Sequence, residues 1–538
     1  MHNNEFEVRI IQDNKEDVLK ARKGRRLKEL ISRAGISFAY PCGGNGRCGK
    51  CVISFEKGAP APGTADKNFL SEAEIGGGKR ILCRCILEKE CVIRMDADAD
   101  EENIAAESIG IFNGEGRAES KDDDQVIKAS SEYGQFGVAI DLGTTTIAAA
   151  LVEISSDEPK AKVLRTASMV NHQRRYGFDV ISRIEAASDL LIRKELQTIV
   201  REDLAELIKR LLDGTKISIS RLCIAGNTTM LHLLRGHDVS GLGVFPYKPV
   251  TTEAEYLGAK ELLGEAGESV SDRLSNVAVT LLPGISAFIG ADIVAGMYEL
   301  GMTSNPGQKI LFLDLGTNGE MAYFDGKELT VTSTAAGPVF EGGGISCGVA
   351  SVPGAISHVS ITNSDDGSFS VRYETIGGKS PIGLCGTGVI EAVSELAKNG
   401  IIDKDGLFCE EFFENGFVID NENNIRITQK DIRNVQLAKA AIRAGMERLL
   451  NGAEPDKVYI AGGFGANLDV SRLLQLNMFP EKLLDKISSV GNTSLKGCVR
   501  YIEENDPDKL RQITETAKEI TLAMEDGFGE DYVASMVF

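Results

Sequence analysis

Apolar and polar residues alternate in three different ways along this chain, and each pattern predicts a different structure. Residues 5–94 carry the short apolar runs FEVRII, CVISF and RILCRCIL and the helix-like stretches VLKARKGRRLKELISRAG and NFLSEAEIGG. This mixture predicts a small α+β domain over residues 1–95. Residues 96–135 are acidic and poor in large apolar side chains. Such a segment buries too little apolar surface to offset the entropy of ordering, so we predict a flexible linker.

From residue 136 onward, apolar strands and glycine-rich turns alternate with amphipathic helices such as LQTIVREDLAELIKRLLDG and VQLAKAAIRAGMERLLNG. This alternation predicts an α/β domain over residues 136–538. One motif occurs twice within it, in GVAIDLGTTTIAAALVE (137–153) and ILFLDLGTNGEMAYFDG (310–326). The repeat predicts two related lobes, which we expect to meet near residue 300.

Composition narrows the classes of partner. The chain has 538 residues and a formal net charge of −20. Nucleic acids and anionic membranes are bound through clustered Lys and Arg, so this charge argues against both. The opening MHNNEFEVRI lacks a basic segment followed by an apolar run, and no apolar stretch reaches the roughly 18 residues of a membrane span. We therefore expect a cytoplasmic protein that binds neither membrane nor nucleic acid.

Six of the eleven cysteines fall in the first hundred residues. In a reducing compartment this clustering favours metal ligation over disulfides. The segment PCGGNGRCGKC places Cys42, Cys48 and Cys51 at C-x5-C-x2-C in a glycine-rich loop, and Cys83 is the candidate fourth ligand. A [2Fe-2S] cluster needs four thiolates and backbone N–H groups that can approach its sulfides. Zinc is the alternative, but zinc knuckles usually bring two C-x2-4-C pairs, and the sequence shows one.

This spacing resembles ferredoxins of the adrenodoxin type. The resemblance extends to the fourth ligand, since Arg80-Ile81-Leu82-Cys83 matches the Arg, apolar residue, any residue and Cys of those proteins. It implies one [2Fe-2S] cluster in a β-grasp domain. Cys85 remains an alternative to Cys83, and both Cys85 and Cys91 can equally be small buried apolar side chains.

The two D-L-G-T motifs resemble the phosphate loops of the superfamily that contains actin, heat-shock chaperones, acetate kinase and sugar kinases. In such loops backbone N–H and Thr hydroxyl groups face phosphates, and an Asp at the strand end holds Mg²⁺ or orients water. The resemblance implies ATP and Mg²⁺, with Asp141 and Asp314 as catalytic carboxylates. The implied phosphate contacts are Gly143, Thr144 and Thr145, and Gly316, Thr317 and Asn318.

Further glycine-rich turns carry weaker signals. VYIAGGFGANLD resembles the adenosine motif of the same superfamily, which implies that Gly462, Gly463 and Phe464 lie beside the nucleotide. GLCGTG places Gly386 and Thr387 at a helix start, where N–H groups can face phosphate. Glu341 in AGPVFEGGG can approach the metal or the partner, or can be an ordinary loop carboxylate.

Over nearly its whole length the chain resembles the reductive activators of corrinoid enzymes, in PCGGNGRCGKC, AIDLGTTT, NHQRRYGFDVISRI, AGNTTM, LPGISAFIGADIVAG, LDLGTNGE, AGPVFEGG and AGGFG. The resemblance implies an ATP-hydrolysing activase that reduces inactive Co(II) corrinoid to Co(I). Its implied partners are a corrinoid protein of a methyltransferase or of the acetyl-CoA pathway, and a low-potential electron donor. Some members carry an extra middle domain or a C-terminal [4Fe-4S] cluster, and we expect neither here.

Three other functions use similar parts. A small-molecule kinase would need a base beside a substrate hydroxyl, and no sugar-binding constellation is evident. A redox sensor would bind a partner without delivering electrons. Activators of radical dehydratases hold a cluster between subunits with few cysteines each, unlike the six early cysteines here. The sequence leaves open whether the protein forms a homodimer.

Overall fold

The computed structural model describes residues 5–12, 15–34, 36, 38, 49, 51–95, 135–155, 161–274, 276–363, 368–462 and 469–538. They fall into two compact units. The first contains the described part of residues 1–101 together with residues 170–203 and 232–250, and the second contains the remainder. Apart from residue 135, the predicted linker lies outside the described residues, so its boundaries stay a prediction.

A five-stranded mixed sheet forms the N-terminal part of the first unit. Its strands are β1 (Glu5–Gln12), β2 (Lys15–Arg22), β3 (Val52–Lys57), β4 (Lys79–Ile81) and β5 (Cys91–Arg94), in the order β2-β1-β5-β3-β4. Its helices are α1 (Leu27–Arg33), α2 (Thr64–Phe69) and α3 (Glu72–Gly76). β1 runs parallel to β5, whereas β1 pairs antiparallel with β2, and β3 pairs antiparallel with β4 and β5. Val8 and Ile10, two apart on β1, are fully buried with Leu27 and Ile93. The period-two pattern thus builds the α+β domain that the sequence predicts.

The NHQRRYGFDVISRI segment opens the other part of the first unit and is held by internal hydrogen bonds. Arg183 lies fully buried in α4 (Val180–Ala186) and donates through Nε to the carbonyl of Gly177 at 2.8 Å. Gln173 donates to the carbonyl of Leu196 in α5 (Leu190–Leu212) at 2.9 Å. Because a buried guanidinium is costly without hydrogen bonds, these contacts fix the segment's conformation.

The rest of the chain contains seventeen further strands and ten further helices among the described residues. The strands are β6 (Gln135–Leu142), β7 (Thr146–Ile154), β8 (Ala161–Val170), β9 (Arg221–Gly226), β10 (Glu255–Gly258), β11 (Ala278–Leu281), β12 (Ile310–Leu315), β13 (Gly319–Phe324), β14 (Leu329–Thr334), β15 (Ala355–Asn363), β16 (Phe369–Thr375), β17 (Gly383–Leu384), β18 (Phe417–Asp420), β19 (Ile425–Ile427), β20 (Lys457–Ala461), β21 (Ile487–Gly491) and β22 (Ala517–Glu519). The helices are α6 (Thr228–Arg235), α7 (Ala259–Leu263), α8 (Ser271–Leu274), α9 (Ala291–Glu299), α10 (Gly386–Lys398), α11 (Gln429–Leu450), α12 (Val470–Gln475), α13 (Thr493–Glu504), α14 (Pro507–Thr516) and α15 (Phe528–Ala534).

Two six-stranded sheets of the second unit repeat one topology. Their orders are β10-β11-β9-β6-β7-β8 and β21-β20-β12-β13-β14-β22. β6 pairs antiparallel with β7 and parallel with β9, and β12 pairs in the same way with β13 and β20. The five strands β8-β7-β6-β9-β11 therefore correspond to β14-β13-β12-β20-β21. The two related lobes predicted from the repeated D-L-G-T motif are confirmed, and each motif lies in the turn after the first strand of its lobe.

The lobes exchange helices. α9 follows β11 of the first lobe, and α13 follows β21 of the second. A Cβ atom on Gly497 of α13 would lie 2.1 Å from the carbonyl oxygen of Ala295 of α9, so the two backbones touch and only glycine fits. α13 also packs on the first lobe, where Arg221 donates to the carbonyl of Ile502 at 2.9 Å. α9 in turn lies against Phe312 of the second lobe.

Smaller elements complete the second lobe. The sheet β16-β15-β17 packs against α10, and the hairpin β18-β19 leads into α11. Thr428 begins α11 with a capping box, since its hydroxyl accepts from the N–H of Asp431 and the Asp431 carboxylate accepts from the N–H of Thr428. Among the described residues, no helix is both long and apolar enough to cross a membrane.

Candidate functional site

The iron–sulfur candidate lies where β3 begins and β4 ends. The N–H of Leu82 donates to the carbonyl of Cys51 at 2.8 Å, which extends the β3–β4 pairing to the residue before Cys83. Cys51 and Cys83 are both buried. Cys42 and Cys48 lie outside the described residues. The fold therefore makes neighbours of the two described candidates, 32 positions apart in the sequence.

Cys85 and Cys91 belong to the same buried cluster as Cys51 and Cys83. The pKa of the Cys85 thiol is raised to about 12, mainly by burial and then by the Asp66 carboxylate. Burial likewise raises the pKa of Cys91 to about 11. A buried neutral thiol packs as a small apolar side chain, which is the role that the sequence left open for both cysteines.

Asp141 lies next to the last residue of β6 and is held by residues at the start of α13. Its Oδ2 accepts from the Asn492 side-chain amide at 2.8 Å, and its Oδ1 accepts from the Ser494 hydroxyl at 2.7 Å. Burial raises the pKa of Asp141, and these two hydrogen bonds act against that rise. The carboxylate of the first lobe is therefore fixed by two neutral donors from a helix of the second lobe.

Asp314 lies next to the last residue of β12 and is surrounded by other carboxylates. Its pKa is raised to about 7, mainly by burial and then by the charges of Asp292, Asp141 and Glu341. Asp292, in the first turn of α9, has its pKa raised to about 7 by burial and then by Asp141. Glu320, which shares a hydrogen bond with Asn318, has a pKa well above the ordinary value, first from burial and then from Asp292 and Asp314.

This group of carboxylates fits a divalent cation. Solvent reaches Asp141, Asp292, Asp314 and Glu320, which are each half-buried, while protein atoms limit their hydration. No Lys or Arg side chain of the described residues forms an ion pair with any of them. Crowded carboxylates of this kind are stabilised by a hard cation with oxygen ligands. Among the described residues, no three His, Cys, Asp or Glu side chains are placed to bind one ion together. A Mg²⁺ ion here would therefore be held by one or two of these carboxylates and by its own water molecules.

The two D-L-G-T turns hold their threonines differently. The Gly143 N–H donates to the carbonyl of Thr146 at 3.1 Å, and the Gly316 N–H donates to the carbonyl of Asn318 at 3.0 Å, so both turns are tight. Thr144 accepts from the side-chain amide of Asn227 at 2.9 Å. Thr317 instead donates to the carboxylate of Glu341 at 3.0 Å, which brings Glu341 to the second loop. Thr145 is exposed.

Gly462 lies beside the second D-L-G-T turn. It follows β20 with φ of +94°, and a Cβ atom there would lie 2.6 Å from the carbonyl of Leu315 and 3.0 Å from Oδ1 of Asp314. Glycine is therefore required for the chain to pass beside the carboxylate. Gly463 and Phe464 lie outside the described residues.

Gly386 and Thr387 begin α10 in a closely packed region. A Cβ atom on Gly386 would lie 1.8 Å from the carbonyl of Phe340, and Thr387 is buried. The close approach also brings Gly386 beside the backbone of Glu341. This packing accounts for the glycine, and phosphate binding by the first turn of α10 stays a prediction.

Sequence reasoning missed the residues supplied by the exchanged helices and by the position after β9, namely Asp292, Asn492, Ser494 and Asn227. One signal was present. GADIVAG (290–296) and GNTSLKG (491–497) share a G-x5-G spacing at equivalent places in the two lobes. The first contains Asp292 and the second contains Asn492 and Ser494, so the repeat extends beyond the D-L-G-T motif.

Comparison with known proteins agrees with this architecture. Residues 10–88 match the 2Fe-2S iron-sulfur cluster binding domain family, residues 136–305 the RACo middle region, and residues 308–538 the C-terminal ASKHA domain of RACo. The corrinoid activation enzyme RamQ of Eubacterium limosum is 30% identical over 439 residues, which cover 75% of this chain and 70% of that enzyme. The chain belongs to the family of reductive activators of corrinoid proteins.

Two further comparisons support the assignment of this chain to the reductive activators. The [Co(II) methylated amine-specific corrinoid protein] reductase of Methanosarcina barkeri is 28% identical over 445 residues, covering 75% of this chain and 77% of that protein. The solved structure of a reductive activator for corrinoid, iron-sulfur protein has a TM-score of 0.65 and 27% identity, covering 99% of this chain and 98% of that chain. The family assignment thus rests on the whole length of the chain.

One expectation about the family needs correction. We expected no middle domain, yet the RACo middle region matches residues 136–305. That segment is the one assigned above to the first lobe, and its sheet repeats the topology of the second lobe. The expectation was wrong because the middle region carries its own D-L-G-T strand pair and so reads, in sequence, as half of a nucleotide-binding domain.

Proposed function

We propose that this activator reduces the cobalt of a corrinoid protein from Co(II) to Co(I), and that hydrolysis of ATP drives the transfer. The observation that carries this proposal is the convergence of Asp141, Asp292 and Asp314 between two equivalent D-L-G-T turns. Such a site suits a magnesium nucleotide, and the same chain carries a 2Fe-2S domain. One electron passes to cobalt, and ATP and water become ADP and phosphate.

The nucleotide-binding residues follow from the loops. Asp141 and Asp314 are the carboxylates that hold Mg²⁺ and orient the attacking water, and Asp292 and Glu341 complete the carboxylate group around Asp314. When bound, Mg²⁺ supplies positive charge next to the phosphates. The phosphate and nucleoside contacts are those implied by the sequence: Gly143, Thr144, Thr145, Gly316, Thr317, Asn318, Gly386, Thr387, Gly462, Gly463 and Phe464.

The cluster ligands are Cys42, Cys48, Cys51 and Cys83. Support for Cys83 over Cys85 comes from its position directly after Leu82, whose N–H donates to the carbonyl of Cys51. Electron paramagnetic resonance of the reduced protein tests this choice. Cys83→Ser should lose or shift the cluster signal, whereas Cys85→Ser should keep it, and the reverse result would make Cys85 the ligand.

Energetics explain why a nucleotide is needed. Plant-type [2Fe-2S] centres lie near about −400 mV, and for one electron about 59 mV corresponds to a tenfold change in equilibrium. An acceptor a few hundred millivolts more negative is then reduced only to a very small extent. Coupling to ATP hydrolysis allows the corrinoid protein to populate the transient state in which its cobalt accepts the electron.

The partners follow from the relatives. RamQ and the Methanosarcina reductase are named for corrinoid activation and for a Co(II) corrinoid protein, which supports a corrinoid protein of a methyltransferase or of the acetyl-CoA pathway. A low-potential donor must supply the electron. Homodimer formation and a cytoplasmic location stay predictions.

Anaerobic visible spectroscopy tests the proposal. The protein, a Co(II) corrinoid protein and a reductant are mixed with and without MgATP, and the Co(I) band should appear only with MgATP. Cys51→Ser should abolish the band while leaving ATP hydrolysis in place. If a variant without its cluster still gave Co(I), the ferredoxin domain would not be the donor.

A further inference from the structure

Charge is distributed unevenly between the domains of this chain. Residues 1–95 carry 18 Lys and Arg against 12 Asp and Glu, a formal charge of +6. Residues 136–538 carry 38 Lys and Arg against 55 Asp and Glu, a formal charge of −17. The ferredoxin domain is thus basic in a chain whose net charge is −20.

Seven of these 18 basic residues, and a net charge of +4 out of +6, lie on two segments that run side by side. The turn that leads into α1 is hydrogen-bonded to the segment that carries Cys83 and Cys85. The Gly24 N–H donates to the carbonyl of Leu87 at 2.8 Å, the Leu87 N–H donates to the carbonyl of Arg25 at 2.8 Å, and the Leu27 N–H donates to the carbonyl of Cys85 at 3.0 Å.

We call residues 22–29 and 82–90 together the basic face. They contain seven basic and three acidic residues, the basic ones being Arg22, Lys23, Arg25, Arg26, Lys28, Arg84 and Lys89. Lys23, Arg26 and Lys89 are exposed and form no ion pair with any residue that the structure describes. Their charge is therefore open to solvent and to a partner.

The basic face also has an apolar centre close to the cluster. Ile86 is 49% exposed and forms a bridge with Arg26. It follows Cys83 by three residues, which span at most about 11 Å of chain. A partner seated on Ile86 would thus bring its redox centre towards the segment that holds the proposed fourth ligand.

We propose that the basic face is the docking surface for an acidic, low-potential electron-carrier protein that reduces the cluster. This rests on the proposed role of the ferredoxin domain as electron donor. The remainder of the chain is acidic and repels such a carrier, whereas the basic face attracts it. The electric field of the protein therefore favours an acidic partner and directs it to the basic face. Electron-transfer encounters bury little surface and depend on charge for their rate. One electron leaves the carrier and enters the cluster.

Stopped-flow reduction of the oxidised full-length protein tests this docking surface. The reductant is an acidic flavodoxin in its hydroquinone state, which becomes the semiquinone as it loses one electron. The test variant is Lys23→Glu/Arg26→Glu/Lys89→Glu. We expect its second-order rate constant at low ionic strength to fall at least about tenfold, and the difference from the natural protein to shrink as salt screens the charges.

A matched variant separates the basic face from net charge. Lys260→Glu/Lys327→Glu/Lys482→Glu makes the same change in net charge at exposed positions of the second unit, and its rate should change less than about twofold. Reduction by the small methyl viologen radical cation should not slow in either variant, which shows that the cluster remains intact and accessible.

Two results would overturn the proposal. One is an equal slowing in both triple variants, and the other is an unchanged rate with flavodoxin in the basic-face variant. If that unchanged rate were accompanied by slower cobalt reduction by the pre-reduced variant, the basic face would be assigned to the corrinoid protein. The flavodoxin experiment needs neither corrinoid nor ATP, so its failure leaves the proposed cobalt reduction untouched.

Discussion

The two lobes of the second unit share a strand order and a D-L-G-T turn, yet their aspartates meet opposite surroundings. Asp141 accepts hydrogen bonds from Asn492 and Ser494. Asp314 faces the carboxylates of Asp292 and Glu341. The fold repeats the position of the aspartate, and the exchanged helix decides what that aspartate can do. Asp141 is held in place by two neutral donors, whereas Asp314 needs either a proton or a cation.

The largest effect on ATP hydrolysis is expected at Asp314, the aspartate that needs a proton or a cation. Asp314→Asn removes the carboxylate most exposed to like charges, and with it the attraction for Mg²⁺. We expect ATP hydrolysis to fall about 10²- to 10³-fold, as when one preorganised electrostatic contact is lost. The exposed Asp485→Asn serves as control in a steady-state phosphate-release assay. If both variants hydrolysed ATP alike, the lobes would not differ in the proposed way.

The contribution of the exchanged helix α9 is tested by Asp292→Asn. We expect hydrolysis to fall about tenfold or more, because one negative charge that attracts the cation to Asp314 is lost. Its effect on stability should have the opposite sign. The folded-state pKa values of Asp292 and Asp314 lie near 7, above the ordinary value of 3.8. Their contribution to stability is therefore present below about pH 4 and lost as the pH rises through 7.

Thermal unfolding of the nucleotide-free protein should show this loss. Its melting temperature should decrease between pH 5 and 8, and Asp292→Asn should reduce that decrease by a few degrees. Binding of Mn²⁺, followed by electron paramagnetic resonance, should strengthen over the same pH range, since the cation displaces protons. A flat profile for both would show that the two carboxylates do not interact.

Removing the neutral donors tests the other lobe. The double variant Asn492→Ala/Ser494→Ala leaves Asp141 half-buried without its hydrogen bonds, which raises its pKa and frees its side chain. We expect about tenfold slower hydrolysis and a loss of about 1–3 kcal/mol in the free energy of unfolding. Ser488→Ala, at an exposed position of β21, is the control. Unchanged hydrolysis would mean that Asp141 needs no positioning.

The smallest effects should come from the threonines. Thr144→Val removes a hydroxyl held by Asn227, and Thr317→Val removes one held by Glu341. We expect each to weaken nucleotide binding a few-fold, by about 1 kcal/mol. Only Thr317→Val should also alter the Mg²⁺ requirement, because it releases Glu341 beside Asp314. Titration calorimetry at several Mg²⁺ concentrations distinguishes the two.

Local patterns were enough to predict much of the fold. Alternating apolar runs gave the α+β domain and the α/β lobes, and the repeat of Asp141 in Asp314 predicted equivalent halves. Gly462 after β20 was predicted from the resemblance of VYIAGGFGANLD to an adenosine motif, and the structure adds that a side chain there would meet Leu315 and Asp314. These signals are local, since each depends on residues within one turn or one strand.

The rest depends on contacts between distant segments. Asn492 lies 351 positions from the aspartate it holds, and no spacing rule connects them. Whether Asp292 meets Asp314 depends on the crossing of α9 and α13 at Gly497, which is a property of packing. The same holds for Cys85, whose burial only the folded sheet reveals. The sequence motifs identified the loops, and the tertiary structure showed which side chains contact them.

The exchange of α9 and α13 bears on how this architecture arose. The helix of each half places side chains next to the aspartate of the other half. A single half would therefore leave its own aspartate without these neighbouring side chains. An ancestor with one copy of the half could complete its site only by pairing with a second identical chain about a twofold axis. Duplication and fusion would then have freed the two sites to diverge, one keeping amide and hydroxyl donors and the other acquiring a carboxylate.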